Sequence, residues 1–247
     1  NLCDMKELLK IGKKYNIPVV EDSAEALGAV YNSKKAGAIG SFGTFSFRGT
    51  KTITTGEGGM FVTSDSELGK NSKLFRSHGM TSMTVDRHEK KAISYDVVMP
   101  GVNYRMNEIT AALGLVQLGK LDQNNEKRKK IVQSYIHILQ DIETLIIPWR
   151  SIDQYIESSY HIFPVLLPTK SIRLKIINEM RNAGIQTSIH YPSYGDFMCY
   201  QRGFSSTAIP VANMVSDQVL TLPLYPGMTL EMVENVCHIF KNAIFKC

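Results

Sequence analysis

The sequence predicts an α/β protein with a larger N-terminal domain and a smaller α+β domain at the C-terminus. Three observations support this prediction: short apolar runs alternate with helix-like stretches, polar residues follow directly after the first apolar run, and the chain has 247 residues. That length is sufficient for one large core or two modest domains. Open α/β sheets bind ligands where their strands end, so we expect functional residues there.

The first domain is predicted to begin with a helix whose apolar positions start at Met5 and whose pattern stops at Asn16, before Pro18. The run 17–20 is typical of a parallel strand that is buried on both faces. The elements that follow are predicted in chain order: strands over 40–47 and 59–63, a helix over 66–75 and a loop over 80–98.

Two helices are predicted next. Met106–Leu121 carries an apolar stripe, and Asn107 is placed to cap its start. A second helix is predicted over 124–139, with the domain boundary near residue 130, so that the domains are 1–130 and 131–247. In the smaller domain we predict these elements: a strand over 161–167 interrupted by Pro164, a helix over 172–183 closed by Gly184, a strand over 185–190 and a helix over 230–245.

Composition limits the partners that the chain is expected to have. An apolar fraction of 43% and a charged fraction of 21% fit a soluble globular protein. The net charge of +5 is mild, and its one basic run, residues 127–130, is ordinary on a solvated helix. No apolar run has the length of a membrane span. We therefore expect neither a nucleic-acid partner nor a membrane.

The cysteines indicate the redox environment. Cys3, Cys199, Cys237 and Cys247 are scattered and form no C-x-x-C pair. This spacing argues against a zinc site and against a disulfide framework, and it suits a reducing cytosol. We expect no metal and a cytoplasmic location.

Asp22 and Lys51 are the two side chains that point to a cofactor. Asp22 ends the first apolar strand, and Lys51 follows the segment G-T-F-S-F-R-G-T and precedes T-T-G-E-G-G at 54–59. Pyridoxal phosphate (PLP) chemistry requires a carboxylate that holds the proton of the pyridine nitrogen and a lysine that forms a Schiff base. Read from the residues alone, Asp22 is also suited to capping the next turn, and Lys51 to a surface position.

The motifs E-D-S-A-E-A-L-G (21–28), F-S-F-x-x-x-K (45–51), T-T-G-E-G-G (54–59) and G-V-N-Y-R-M-N-E-I-T-A-A-L-G (101–114) occur together and in order. The chain thereby resembles the DegT/DnrJ/EryC1/StrS family of PLP-dependent aminotransferases, from about residue 2 to about residue 240. The resemblance implies a fold-type I large domain, here incomplete, with a mixed and mostly parallel sheet. Related sugar dehydratases carry histidine where this chain has Lys51, so the lysine favours transamination.

The resemblance also implies roles for single residues. Lys51 is the catalytic residue and binds the cofactor, Asp22 pairs with its ring nitrogen, and Glu25 lies beside the ring. Ser46 donates its hydroxyl to the cofactor phosphate, and Asn103 reaches the phosphate in a neighbouring subunit, which makes the active site a shared feature of a homodimer. Glu25 is also compatible with a solvent-facing position, and Asn103 with a turn that caps the next helix.

His190 and Tyr191 match a family segment near the sugar, although a structural role is as compatible with the sequence. The glycines at 56, 58 and 59 are expected to form a tight turn after the lysine, because their spacing is not that of a phosphate-binding P-loop.

The activity that the resemblance implies is conversion of a nucleotide-linked keto-sugar to an amino-sugar, with glutamate as the amino donor, for surface polysaccharide or glycan biosynthesis. The string K-T-I-T-T-G-E-G-G-M (51–60) is most similar to the perosamine-synthase branch. No Gly-Ser/Thr-x-Ala turn for the phosphate precedes Asp22, so we expect a missing N-terminal segment. The alternative is a non-catalytic remnant or partner subunit of such an enzyme.

Overall fold

The computed structural model describes residues 2–82, 89, 93–148, 156–200 and 209–246. The chain divides into two compact units: Asn1–Asp122 with Gln154–Ser159, and Gln123–Asp153 with Tyr160–Cys247. The domain boundary expected near residue 130 stays a prediction. Within the described residues, no helix has the length and apolar character that crossing a membrane requires.

The first unit contains these elements in chain order: α1 Met5–Tyr15, β1 Val20–Asp22, β2 Val30–Tyr31, β3 Lys34–Lys35, β4 Phe42–Ser46, β5 Gly59–Val62, α2 Ser66–Phe75, α3 Glu108–Leu118 and β6 Ile156–Glu157. The start of α1 is capped by Asp4, whose carboxylate accepts from the Glu7 backbone N–H. Its end is set by Asn16, which adopts the left-handed conformation at φ 52°. The predicted first helix is confirmed.

The strands of this unit form two small sheets. In the first, β4 lies between β1, to which it is parallel, and β5, to which it is antiparallel. In the second, β2 lies between β3 and β6 and is antiparallel to both. The first sheet is therefore mixed and includes parallel pairing, as expected of a fold-type I domain.

The second unit contains α4 Leu121–Leu139, which starts at the end of the first unit, and then β7 Phe163–Leu166, α5 Lys170–Asn182, a 3₁₀ turn Tyr194–Asp196, α6 Pro210–Gln218, β8 Val219–Leu222 and α7 Leu230–Phe245. Its core is one contiguous apolar cluster around the antiparallel pair of β7 and β8. Tyr135 stacks on Phe163 with ring centroids 4.7 Å apart, and its hydroxyl donates to the Pro223 carbonyl.

The predicted first strand is wrong in its bounds and in its burial. The strand starts at Val20, because Pro18 has no N–H to donate and the Ile17 N–H donates back to Gly12 at the end of α1. Val20 is exposed, and the buried residue of β1 is Glu21.

Two further predictions of the sequence differ from the structure. The helix predicted over 106–121 ends at Leu118, and Gly119-Lys120 separate α3 from α4, which begins at Leu121. The strand predicted over 185–190 is absent from the described structure, since this segment meets β8 at one bridge, between Ser188 and Thr221. Its apolar residues, Ile185 and Ile189, are only half-buried, and Ile185 packs against the apolar core of the unit.

The basic run at 127–130 is not uniformly solvated. Arg128 is buried, and its Nη1 donates to the carbonyls of His161 and Leu224. Burial lowers the pKa of Arg128 from its ordinary value. The guanidinium thus ties α4 to the segments before β7 and after β8.

Candidate active site

The site begins with the parallel pairing of β1 and β4. Asp22 lies opposite Thr44 in this register, and both strands run in the same direction. Asp22 ends β1, and Ser46 ends β4 two residues beyond Thr44. The carboxylate and the hydroxyl predicted for the cofactor therefore lie at the same edge of the sheet, where ligands of α/β proteins bind.

Lys51 lies in the loop that leaves β4 and returns as β5. The Phe47 N–H donates to Gly58, and the Thr55 N–H donates to the Phe47 carbonyl, so the loop is closed at its base. Inside it, the Lys51 N–H donates to Arg48 in a tight turn. The lysine is thereby held close to the carboxyl end of β4.

The glycines after Lys51 form the tight turn that the sequence predicts. Gly56 has φ +84° and Gly58 has φ +156°, conformations that residues with a Cβ rarely adopt. A Cβ at Gly58 would lie 2.5 Å from Thr55 Oγ1 and 2.9 Å from Met106 Cε. Only glycine fits at this close approach.

Lys51 and Glu25 form an ion pair within the site. Lys51 Nζ donates to Glu25 Oε1 at 2.9 Å. The lysine side chain is 17% exposed and the glutamate side chain 32%, so the pair is partly screened by water but is accessible to a small ligand. Glu25 is therefore not a purely solvent-facing residue, which was the alternative that the sequence left open.

The turn that carries Glu25 follows directly from β1. The Ser23 N–H donates to Thr44, and the Ala26 N–H donates to Ser23. The Glu25 carbonyl accepts from the hydroxyl of Ser159, which is buried just after β6. The neighbouring strand β4 and a distant segment of the chain thus fix the backbone of this turn.

Asp22 and Ser46 both have local hydrogen bonds. One carboxylate oxygen of Asp22 accepts from the Ala24 N–H at 3.1 Å, so this residue does support the next turn, as the sequence left open. Its side chain is nevertheless exposed and can still receive a ligand. Ser46 Oγ accepts from the Arg48 N–H at 3.4 Å, a long contact that leaves its hydroxyl hydrogen to be donated.

Asn103 lies in the first unit, on an exposed segment that precedes α3. Its backbone forms a bridge with Ser77, and its side-chain oxygen accepts from Arg105 Nε. It does not cap α3, since Asn107 does so by accepting from the Thr110 N–H. The structure of the single chain does not bring Asn103 into contact with Lys51, and its predicted role in a partner subunit stays a prediction.

His190 and Tyr191 lie in the second unit. The His190 ring nitrogen Nδ1 is 2.9 Å from Thr221 Oγ1, and the two aromatic rings of His190 and Tyr191 meet edge to face at 4.9 Å. These contacts give His190 a structural partner. Their proposed position near a sugar stays a prediction.

Sequence reasoning missed two residues that shape the site. Glu21 is buried, and its carboxylate accepts from the backbone N–H groups of Gly37, Ile39 and Gly40. It anchors the segment that leads into β4. Ser159 was also missed, because nothing in the sequence relates it to Glu25. The signal that could have identified Glu21 is a charged residue that directly follows the apolar run 17–20.

The residues at this edge fit a PLP molecule. A reactive amine at Lys51, a carboxylate at Asp22 and a hydroxyl at Ser46 lie at the ends of two adjacent strands and in the loop between β4 and β5. The positively charged lysine suits an anionic ligand, and the exposed carboxylate suits a protonated ring nitrogen.

A family model, described as the DegT/DnrJ/EryC1/StrS aminotransferase family, matches residues 1–241. A UDP-4-amino-4,6-dideoxy-N-acetyl-beta-L-altrosamine transaminase of Helicobacter pylori is 34% identical over 95% of this chain and 61% of its own. The spore coat polysaccharide biosynthesis protein SpsC of Bacillus subtilis is 31% identical over 98% of this chain and 64% of its own.

Solved structures match as well. An aminotransferase of Helicobacter pylori involved in the biosynthesis of pseudoaminic acid superimposes with a TM-score of 0.91 at 31% identity, covering 100% of this chain and 64% of its own. A Streptococcus pneumoniae protein solved in its PMP form superimposes with a TM-score of 0.89 at 29% identity, covering 99% of this chain and 67% of its own. The PLP form of the same protein superimposes with a TM-score of 0.88. The chain spans less than two thirds of the length of the curated relatives named above.

Proposed function

Because the chain belongs to the DegT/DnrJ/EryC1/StrS aminotransferase family, we propose that its full-length protein is a PLP-dependent aminotransferase that converts a nucleotide-linked keto-sugar to an amino-sugar. The observation that carries this proposal is the arrangement of Lys51, Asp22 and Ser46. The three lie at one edge of the β1–β4 sheet, with the Lys51 amine held against Glu25.

The proposed mechanism assigns each residue of the chain one task. PLP, when bound, supplies an aldehyde that carries the amino group and a ring that accepts electrons from the broken C–H bond. Lys51 takes up and returns a proton at Nζ, since a lysine amine both bonds to carbonyl carbons and acts as a base. The negative charge of Asp22 keeps the ring nitrogen protonated. Ser46 donates its hydroxyl to the phosphate.

The substrate that we propose is a UDP-linked keto-sugar. Support comes from the name of the Helicobacter pylori relative, which is a transaminase of a UDP-linked amino-sugar. The perosamine-synthase-like branch, which the string at 51–60 predicts, stays a prediction. We further propose glutamate as the amino donor, a cytoplasmic location and a role in surface polysaccharide or glycan biosynthesis. The Bacillus subtilis relative, named for polysaccharide biosynthesis, supports that last role.

A homodimer with a shared active site is the assembly that we propose. Its support is the surface of α3, where Ile109 is 84% exposed and Leu115 is 72% exposed. Apolar helix surfaces of this kind are costly in water and are typical of contact surfaces. Asn103 precedes this helix, so a second subunit on α3 would lie close to Asn103.

The experiment follows the two halves of the reaction in the full-length protein. L-glutamate added to the PLP-loaded protein is expected to yield 2-oxoglutarate, and a UDP-linked keto-sugar is then expected to yield its amino-sugar, as detected by mass spectrometry. Lys51→Ala is expected to abolish both products. The matched control, Lys34→Ala, changes an exposed lysine of β3 and is expected to leave both yields unchanged. If the Lys51→Ala protein gave the same yields as the unaltered protein, the proposal would be contradicted.

A further inference from the structure

We propose that Glu25 and Ser159 are positioning residues for the Lys51 amine: Glu25 holds the amine directly, and Ser159 acts through Glu25. The inference rests on the proposed function, because it concerns how Lys51 is presented to the PLP aldehyde. Ser159 comes from a distant segment of the chain, and the two residues are expected to act as one unit.

The first step is the contact between Glu25 and Lys51. A lysine amine stands at the end of a flexible four-carbon stem, so an unheld Nζ samples many positions. Here Nζ donates to Glu25 Oε1 at 2.9 Å, and Glu25 lies in the turn directly after Asp22. The contact therefore fixes the amine beside the strand end that carries the carboxylate for the ring nitrogen.

The second step is the support of Glu25 itself. Ser159 is only 3% exposed, and its hydroxyl donates to the Glu25 carbonyl at 2.8 Å. Ser159 follows β6, which pairs with β2, and β2 begins soon after the turn that carries Glu25. The Ser159 hydroxyl thus links the turn that carries Glu25 to the segment that follows β6.

The consequence concerns the approach of the amine to a carbonyl carbon. Lys51 Nζ, which donates to Glu25 Oε1, passes one proton to that carboxylate and bonds to the carbon, and the carbonyl oxygen leaves as water with the other two amine protons. Reactions between bound groups depend steeply on geometry, and a misplacement of about 1 Å costs about 100-fold in rate. Glu25→Ala frees the amine and is expected to slow its capture of the PLP aldehyde by about tenfold or more. Ser159→Ala leaves Glu25 in place on a looser turn, so the expected loss is smaller, about threefold.

The test measures the capture directly, without turnover. The full-length protein is mixed with limiting PLP, reduced with borohydride at successive times and digested, and the modified lysines are quantified by mass spectrometry. The rate at Lys51 is divided by the rate at Lys34, an exposed lysine of β3 that reports general amine reactivity. Glu25→Ala is expected to lower this ratio, whereas Glu25→Gln, which keeps an acceptor oxygen, is expected to lower it less.

Matched controls separate positioning from stability. Glu7→Ala removes the exposed ion pair with Lys10, and Ser82→Ala removes another buried hydroxyl that donates to a backbone carbonyl, that of Ser94. Neither is expected to change the rate of capture at Lys51. Ser159→Thr keeps the hydroxyl and is expected to restore the rate, and thermal unfolding of each variant verifies that it is folded.

A double-mutant cycle gives the decisive readout. If Ser159 acts through Glu25, Ser159→Ala has no further effect on Lys51 capture in the Glu25→Ala background, because the carboxylate that contacts Lys51 is gone even though the backbone carbonyl that Ser159 contacts remains. Independent, multiplicative effects would overturn the role of Ser159, and unchanged capture in Glu25→Ala would overturn the whole proposal. If the unaltered protein captures no PLP on Lys51, the proposed function fails instead, so the two failures are distinguishable.

Discussion

Asp22 lies opposite Thr44 in the parallel register of β1 and β4. In this register, the end of β1 lies beside the last residues of β4, just before the loop that carries Lys51. A carboxylate and an amine that are distant in the sequence therefore share one edge of a sheet.

Asp22→Asn is expected to lower the rate of transamination by about 100-fold or more, with each tenfold step corresponding to about 1.4 kcal/mol. The amide carries no negative charge, so it cannot keep the ring nitrogen protonated. Steady-state kinetics with L-glutamate measure the loss. Asp217→Asn, which removes an exposed carboxylate paired with Lys170, serves as the control and is expected to be neutral. Near-normal kcat in Asp22→Asn would refute the role of Asp22.

The shared active site predicts complementation between two inactive proteins. Lys51→Ala and Asn103→Ala are each expected to have little activity, but random mixing of their subunits creates one site in each mixed dimer with both residues intact. About a quarter of the sites are then active, because half of the dimers are mixed and each has one such site. The fraction of active sites is determined from the activity before and after mixing, under conditions in which the subunits exchange. If mixing restores nothing while mixed dimers form, Asn103 does not act across the interface.

Glu21→Gln is expected to lower the free energy of unfolding by about 2–4 kcal/mol. The buried carboxylate accepts from three backbone N–H groups, and an amide cannot replace a charged acceptor bonded to all of them. Urea unfolding compares this variant with Glu143→Gln, a change at an exposed position that is expected to have little effect. Equal stability of the two variants would show that the carboxylate does not hold this segment.

Cysteine labelling tests the core of the second unit. Burial raises the pKa of Cys237 to about 12, whereas Cys3 and Cys199 are exposed. Iodoacetamide at pH 8 is expected to modify Cys3 and Cys199 in the folded protein and Cys237 only after unfolding, as peptide mass spectrometry determines. Because the folded thiol holds its proton more tightly, its contribution to stability is complete below the unfolded pKa and is lost as pH rises towards 12. Rapid labelling of Cys237 in the native protein would contradict its burial.

The sequence allowed much of the fold to be predicted where local signals are strong. Helix α1 has a capping aspartate and a left-handed asparagine at its ends, and α7 has the bounds that its apolar period indicates. The turn after Lys51 was predictable from its closely spaced glycines, of which Gly56 and Gly58 have positive φ. These features depend on neighbours in the sequence.

The features that escaped prediction depend on distant partners. The hairpin of β2 and β3 has strands of only two residues, too short for an alternating pattern, and β6 pairs with β2 from far along the chain. The strand β8 is buried throughout and lies directly after α6, so no turn marks its start. The bond from Ser159 to Glu25 likewise exists only because the fold brings the two together.

The residue to which PLP attaches tests the role of Lys51 most directly. Borohydride reduction of the full-length protein, loaded with stoichiometric PLP, fixes the cofactor on the amine that holds it, and peptide mass spectrometry identifies that residue. One reduced pyridoxyl group per chain is expected, on Lys51, in the peptide that follows F-S-F. Attachment to any other lysine, or to none, would contradict the assignment of Lys51 and the function built on it.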